Sequence, residues 1–479
     1  MTRRPSSRSA RKADPRLLWQ QAVTLYDAGD FATAGDILER LRPLQPAHPP
    51  LLHLLGVCRF RGGQHAAGIA LLEQAAALAP QLVPALCDLG NLLTETGQTD
   101  RAIAMFRRAL AVEPGHSAAA CNLAHLLAAG GDRTAALAEL DQVLSRQPEA
   151  VMPRWTRSLI ALSYKDFPDG WRDYAVRWRL PPAEFSSSHD DFGLPPAPMD
   201  GPPPDGEVWL WREQGIGDEI LYASVIGAAI ARGWRLRFGC SRRLLSLFRR
   251  SFPGLPVVAI ESAGAATEAA QCRSQLPLAD LAAALRREAG DFGTGAAYLL
   301  PDPALRDSLR ESYSRMAPGK RLAGLSWRSS NRISAAAKSP PLKAFSALLA
   351  SPQAAFVNLQ YGPAEPDLTT LRQLAVAPVL DDPGIDPLGD IDRFAAQIAA
   401  LDAVVTVSNT TAHLAGALGV PTLVLLPAHD GLMWYWFRED TRSPWYASVS
   451  LSRQAAIGDW SAAMAGAVDW LDRQFSPPG

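Results

Sequence analysis

Two short segments hold residue types whose spacing could do chemistry. The first is Glu213-Gln214-Gly215-Ile216-Gly217-Asp218-Glu219, directly after the apolar run 208–211. Two glycines allow a tight turn and let a substrate approach the backbone closely. A helix expected from about Ile220 would aim free N–H groups at an anion or a polar acceptor. A carboxylate at that point, Asp218 or its neighbour Glu219, could act as a general base. The simpler role for Asp218 is to cap the helix. The segment lacks the third glycine of a dinucleotide fingerprint. The second segment runs from Val404 to Pro421. Its apolar start leads into Ser408-Asn409-Thr410-Thr411, then Ala412-His413-Leu414. Four polar side chains between a strand's carboxyl end and a helix make a natural phosphate cradle. An N-cap at Ser408 or Asn409 and a core histidine at His413 are the structural alternatives.

Elements of a particular kind must position these loops. Apolar runs at 208–211, 235–238, 257–260, 323–327, 356–360, 403–407 and 422–426 alternate with helical stretches. That alternation predicts parallel sheets of βαβ units. The apparent break at 301–320 divides the region into two Rossmann-like lobes, 207–303 and 320–479. Two facing lobes would form a cleft beyond the carboxyl ends of their strands. Residues 181–206 carry Pro181-Pro182, Ser186-Ser187-Ser188, Pro195-Pro196 and Pro202-Pro203-Pro204, and read as an extended linker.

The first third of the chain is built differently. Pro46, Pro80, Pro114 and Pro148 recur at a fixed step of 34 residues, and so do Gly29, Gly63, Gly97 and Gly131. Leu38, Leu72, Phe106 and Leu140 keep the same register, as do Ala34, Gly68, Ala102 and Ala136. This is the signature of tetratricopeptide (TPR) repeats, which are helix–turn–helix units. The units stack into a solenoid whose groove holds a polypeptide partner. Four repeats span 15–48, 49–82, 83–116 and 117–150. A degenerate fifth closes the solenoid at about 180, and its aromatics around Trp171 and Tyr174 are expected to pack on the next domain.

Composition narrows the function. Formal net charge is -1, so no global footprint for nucleic acid exists. Residues 1–14, with Arg3, Arg4, Arg8, Arg11 and Lys12, read as a disordered basic tail rather than a secretory signal. No apolar run approaches a membrane span. Five scattered cysteines without a Cys-x-x-Cys pair point to reduced thiols and a cytoplasmic location. No His/Asp cluster of zinc type is present, so no metal or other cofactor is expected.

The combination of repeats and loops resembles bacterial GT-B glycosyltransferases, specifically the TPR-linked, heptosyltransferase-related group. Gly215-Ile216-Gly217-Asp218 matches the family's early loop, and Ser408 through His413-Leu414 its second-lobe loop. Gly324 through Asn331 with Lys338-Ser339 looks like the opening loop of the donor lobe, and Gly458-Asp459-Trp460 and Ser443-Pro444-Trp445-Tyr446 look similar too. The resemblance implies an α + α/β fold, a TPR α-solenoid followed by a GT-B pair of Rossmann-like lobes. It implies metal-independent transfer of a sugar from a nucleotide-activated donor to a Ser/Thr hydroxyl of a protein held by the repeats. Flagellin as acceptor and a CMP-linked donor are both among its implications. Asp218 or Glu219 would be the base, with Gln214, Gly215 and Gly217 forming the acceptor-side loop. The donor would meet Trp327, Arg328, Ser329, Lys338, Gln360, Tyr361, Ser408, Asn409, Thr410, Thr411, His413 and Leu414. Where related enzymes often carry aspartate this chain has Ser408, which removes negative charge beside the phosphates and leaves the sugar nucleotide open. A non-catalytic TPR adaptor with a degenerate GT-B lobe, or a transferase acting on lipid or polysaccharide, are the alternatives.

Overall fold

The computed structural model describes residues 14–180, 192–329, 335–428 and 431–476. The chain divides into two compact units between Thr156 and Arg157.

The first unit consists of helix pairs. They are Pro15–Asp27 with Phe31–Leu41, Pro49–Arg61 with His65–Leu78, Val83–Glu95 with Thr99–Val112, and Ser117–Ala129 with Arg133–Arg146. Each pair turns at a glycine of the periodic column. Gly29, Gly63, Gly97 and Gly131 have φ of +81°, +82°, +72° and +87°. A Cβ there would meet nothing within 4 Å, so the left-handed backbone and not crowding selects glycine. Within a pair, small residues set the approach: a Cβ on Gly68 would stand 2.6 Å from the Gly56 carbonyl oxygen. The column Leu38, Leu72, Phe106 and Leu140 is wholly buried. Cys58, Cys87 and Cys121 are buried in the same unit, and burial pushes each thiol up to about 11, which keeps them protonated and inert.

The division at Thr156 corrects the expected end of the solenoid at 180. It falls inside the first helix of the fifth pair, Val151–Ser163, which is followed by Phe167–Tyr174. In this unit the glycine column holds Lys165, still left-handed at φ +64°. Its ammonium reaches Asp440 Oδ1 at 2.6 Å, and Arg438 N donates to Ser163 O at 3.0 Å. Trp171 Nε1 donates to Arg286 O at 2.8 Å and meets Trp434 edge-on at 5.2 Å. Arg177 is fully buried, with Glu213 at 3.1 Å and Asp280 at 2.6 Å. The aromatics therefore pack on the α/β region as expected, and they carry most of the fifth repeat into that unit.

The second unit holds two sheets. The smaller contains β1 Val208–Trp211, β2 Leu236–Cys240, β3 Val257–Ala259 and β4 Ser274–Pro277 in the order β3-β2-β1-β4. The larger contains β5 Arg321–Ser326, β6 Ala354–Asn358, β7 Val379–Leu380, β8 Ala403–Val407, β9 Thr422–Leu426 and β10 Val449–Arg453 in the order β10-β9-β8-β5-β6-β7. Among the described residues the named strands pair with one another in parallel, which agrees with the βαβ reading. Leu325 lies opposite Val405 and Ser326 opposite Thr406, so the loops leaving β5 and β8 emerge side by side.

Two expectations about connections need correction. The break at 301–320 is the helix Pro303–Met316, capped by Asp302 and packed against the helix Ile391–Ala399 of the larger sheet. Residues 181–191, and the tail before Asp14, lie outside the described residues. The rest of the Pro-rich stretch is not a free connector: Ala197 N donates to Gln275 O at 2.8 Å, so the segment lies along β4.

Candidate active site

The loop after β1 enters its helix, Ile216–Ala223, four residues earlier than expected, with Gly215 at the N-cap. Asp218 is consequently in the first turn and not at the cap position, and it caps from there by accepting from the Gly215 N–H. Its carboxylate folds back toward Gly215, whose Cβ, if present, would stand 3.2 Å from Oδ2. Protein surrounds Asp218, though a partial opening to solvent remains. Burial pushes its carboxyl up to about 6, opposed by the charge of Lys338 and by backbone N–H groups of the same turn.

Glu219 is placed elsewhere. It is buried at the end of β2, and its Oε1 accepts from Ser241 N at 2.7 Å. Burial pushes it up to about 8. That contact pins the β2 end and corrects the expectation that Glu219 could serve as the base. Gln214, half-buried, leads into the turn.

Gly217 brings the two loops together. A Cβ on it would stand 3.1 Å from His413 Cδ2 and 3.7 Å from Thr410 Oγ1. The helix Ile216–Ala223 packs directly on the helix Thr410–Ala417. Only glycine permits this approach without displacing the imidazole.

In the loop after β8, Asn409 caps the helix by accepting from Ala412 N, and its Nδ2 donates to Ser326 Oγ at 2.9 Å. Ser408 Oγ accepts from Trp436 Nε1 at 2.9 Å. Thr411 is wholly buried, and among the described residues its Oγ1 has no partner. Thr410, only half-buried, opens toward Gly217, and Leu414 belongs to the core. His413 corrects the phosphate-facing expectation: Nδ1 lies 3.1 Å from Tyr446 Oη and Nε2 3.2 Å from Tyr435 Oη. Trp436 stacks on its ring at 5.2 Å. Burial, reinforced by Lys338, lowers its pKa to about 3, so it is neutral and both nitrogens are engaged. It is a wall of the site, with its carbon edge toward Gly217.

The loop after β5 closes on itself. Gln360 Oε1 accepts from Trp327 N at 3.1 Å and Arg328 N at 3.0 Å, and Nε2 donates to Tyr361 O at 3.1 Å. Trp327 Nε1 donates to Asp367 Oδ2 at 2.9 Å, and Arg328 Nη1 pairs with the same oxygen at 2.8 Å. Gln360 and Trp327 therefore hold backbone rather than a nucleoside, and the charge of Arg328 is already compensated. Ser329 is buried, with its N–H toward Ser339 Oγ at 3.3 Å. Tyr361 is half-buried beside this latch.

Lys338 remains. It is 4% exposed and, among the described residues, makes no hydrogen bond or ion pair. Burial lowers its pKa to about 8, while Asp218 opposes the shift. Each group thus feels the other's charge without contact. A carboxylate and an ammonium lie within reach of each other's charge where the loops after β1, β5 and β8 converge. Sequence reasoning found both groups and singled out the segment with Tyr446 without giving it a role, but missed Asp367 and Tyr435. The aromatic run Trp434-Tyr435-Trp436-Phe437 was the signal for Tyr435. A separate cavity of about 440 Å³ opens beyond β6 and β7, lined by Asn358, Gln360, Asp381, Asp382, Asp386 and Gln397 among others.

Two tetratricopeptide-repeat family models match, over residues 20–83 and 93–155. The chain carries tetratricopeptide repeats. A curated relative, Protein FlbA of Caulobacter vibrioides, is 30% identical over 335 residues, which is 66% of this chain and 54% of that protein. The chain spans about half the length of that relative. An alignment of 335 residues exceeds the first unit, so the likeness extends over much of the α/β region. Similar solved structures include a TPR protein from Parabacteroides merdae, with 20% identity, 34% of this chain, 64% of that one and a TM-score of 0.31. A structure of MamA has 17% identity, 32% and 91% coverage, and a TM-score of 0.30. A thermophilic TPR protein from Thermus thermophilus has 19% identity, 34% and 89% coverage, and a TM-score of 0.29. TPR repeats are protein-interaction modules, and among the described residues no helix is long and apolar enough to cross a membrane.

Proposed function

We propose that the α/β unit is a GT-B-type glycosyltransferase acting on a protein held by the repeats. The observation that carries this reading is the pair Asp218 and Lys338, charged groups that feel each other without joining in an ion pair. Asp218 takes the proton of an acceptor Ser or Thr hydroxyl as its oxygen attacks the anomeric carbon. The bond from that carbon to the donor phosphate breaks, and its electron pair leaves on the phosphate oxygen. Lys338, with the N–H groups of Thr410 and Thr411 at the helix start, offsets the charge that develops there. Preorganised donors of this kind are the largest expected catalytic contribution. The nucleoside extends toward the cavity beyond β6 and β7, whose carboxylates suit ribose hydroxyls. Flagellin as acceptor, a CMP-linked donor and a cytoplasmic location rest on the family resemblance.

The adaptor reading draws on a specific observation as well: Arg328 and His413, two groups expected at the donor, are occupied by Asp367 and by two tyrosines. Single-turnover sugar transfer separates the readings. Asp218→Asn is expected to lower the rate by roughly 10²–10⁴-fold at unchanged donor affinity. Wild-type protein that binds its acceptor and transfers from no donor would favour the adaptor.

A further inference from the structure

A second cavity, of about 360 Å³, lies away from the Asp218 loop. The helix Ile216–Ala223 starts beside Asp218, and the next helix, Ile226–Ala231, ends at Arg232 on the cavity wall. Opposite stand Arg286, Asp291 and the loop Gly293-Thr294-Gly295-Ala296-Ala297. The volume suits a small ligand.

Its charge is out of balance. Arg286 is 7% exposed, and among the described residues its Nε has no partner. Its one side-chain hydrogen bond is a long one, Nη1 to Leu285 O at 3.4 Å, and its Cζ lies 5.5 Å above the Phe292 ring. Burial lowers its pKa, the like charge of Arg232 lowers it further, and Asp291 opposes both without reversing them. Among the described residues the Arg232 side chain makes no hydrogen bond or ion pair. The nearby carboxylate is Asp291, whose Oδ2 already accepts from Arg287 N at 2.8 Å and Glu288 N at 3.0 Å. Two guanidinium groups therefore meet one committed carboxylate. A buried cation without a partner is costly, and folding retains one where something else balances it.

The loop completes the wall. Among the described residues, no N–H from Gly293 to Ala297 donates a hydrogen bond. The loop is nonetheless held, because Ala447 N donates to Gly295 O at 2.7 Å and a Cβ on Gly295 would stand 2.9 Å from Ala447 N. We infer that the Arg232–Arg286 cavity is a binding site for a phosphate group, separate from the Asp218–Lys338 site. Two guanidinium forks from different elements, with free N–H groups between them, offer more donors than a planar carboxylate can accept, and match the oxygens of a tetrahedral anion. The phosphate can be a free ion or part of a nucleotide.

The test is thermal unfolding of the full-length protein, titrated with inorganic phosphate at constant ionic strength. Wild type is expected to gain Tm saturably, because a ligand of the native state stabilises it. Arg286→Met should melt higher than wild type without phosphate, since an unbalanced buried charge is gone, and should need at least tenfold more phosphate for half its response. Arg232→Ala, an exposed change that leaves the fold alone, should weaken the response as well. Lys338→Met should keep it. A parallel titration with CMP in the Lys338→Met background identifies the source: tighter response to CMP than to phosphate means a nucleotide, equal response the free ion. No response in wild type overturns the site. So does a response that both arginine variants retain, or that Lys338→Met abolishes.

Discussion

The shifted proton affinities of Asp218 and Lys338 come from their surroundings, and in the proposed reaction they set a pH signature. Asp218 must lose its proton to act as a base, so transfer should rise as pH passes about 6. Lys338 must keep its proton to meet phosphate, so transfer should fall as pH passes about 8. A bell-shaped profile of kcat/KM with those limbs is expected, and Lys338→Met should remove the alkaline limb. Stability follows the opposite course. The folded-state pKa of Asp218 exceeds its unfolded value, so the native state binds the proton more tightly, and stability is lost as pH rises from about 4 through 6. Asp218→Asn should therefore stabilise the protein near pH 7.5 by about 1–3 kcal/mol and leave it unchanged below pH 4. Calorimetric melts at the two pH values check this, and a destabilised variant at pH 7.5 would contradict the burial account. The sequence displayed Asp218, Lys338 and His413 by type. It could not display that His413 is saturated, because its two tyrosines come from 22 and 33 residues downstream. Nor could it show Asp367 neutralising Arg328 from 39 residues away.

The elements that bring the loops together depend on one close approach. Gly217→Ala would put a methyl 3.1 Å from the His413 ring, and either the imidazole or the helix Ile216–Ala223 must shift. Such a displacement at a reacting centre is expected to cost roughly 10²-fold in transfer with little change in overall stability. Kinetics and a melt of one sample check it, and an unaltered rate would mean the approach is not needed. In the repeats the reason for glycine is different. Gly97 sits at φ +72° with open space around it, so Gly97→Ala should cost about 1–2 kcal/mol purely through backbone strain. That periodicity was fully legible, since one steric requirement recurs at every turn. Strands β1, β8 and β9 were legible from unbroken apolar runs. Strands β4, β7 and β10 were not, because Ser274–Pro277 is polar and ends in proline, β7 has two residues, and β10 alternates with serine. Each lies at a sheet edge, where burial on both faces is not required.

At the scale of the whole molecule, the unit boundary decides what can be cut. A chain from Arg157 keeps Trp171 against Trp434 and Arg177 between Glu213 and Asp280, and it is expected to unfold cooperatively. A chain from residue 181 leaves Glu213 buried without its guanidinium, which is expected to cost about 3–5 kcal/mol or prevent folding. Circular dichroism melts of the two fragments distinguish them, and equal stability would return the boundary to 180. The sequence placed this boundary too late because the helical period continues through the fifth repeat while its contacts change partner. The central claim is that the Asp218–Lys338 space receives an activated sugar phosphate. Calorimetric titration of the full-length protein with CMP-, UDP-, GDP- and ADP-sugars tests it most directly. At least one should bind wild type, with affinity reduced at least tenfold by Lys338→Met and preserved by Asp218→Asn. Binding of none of the four, or equal affinity in wild type and Lys338→Met, would contradict it.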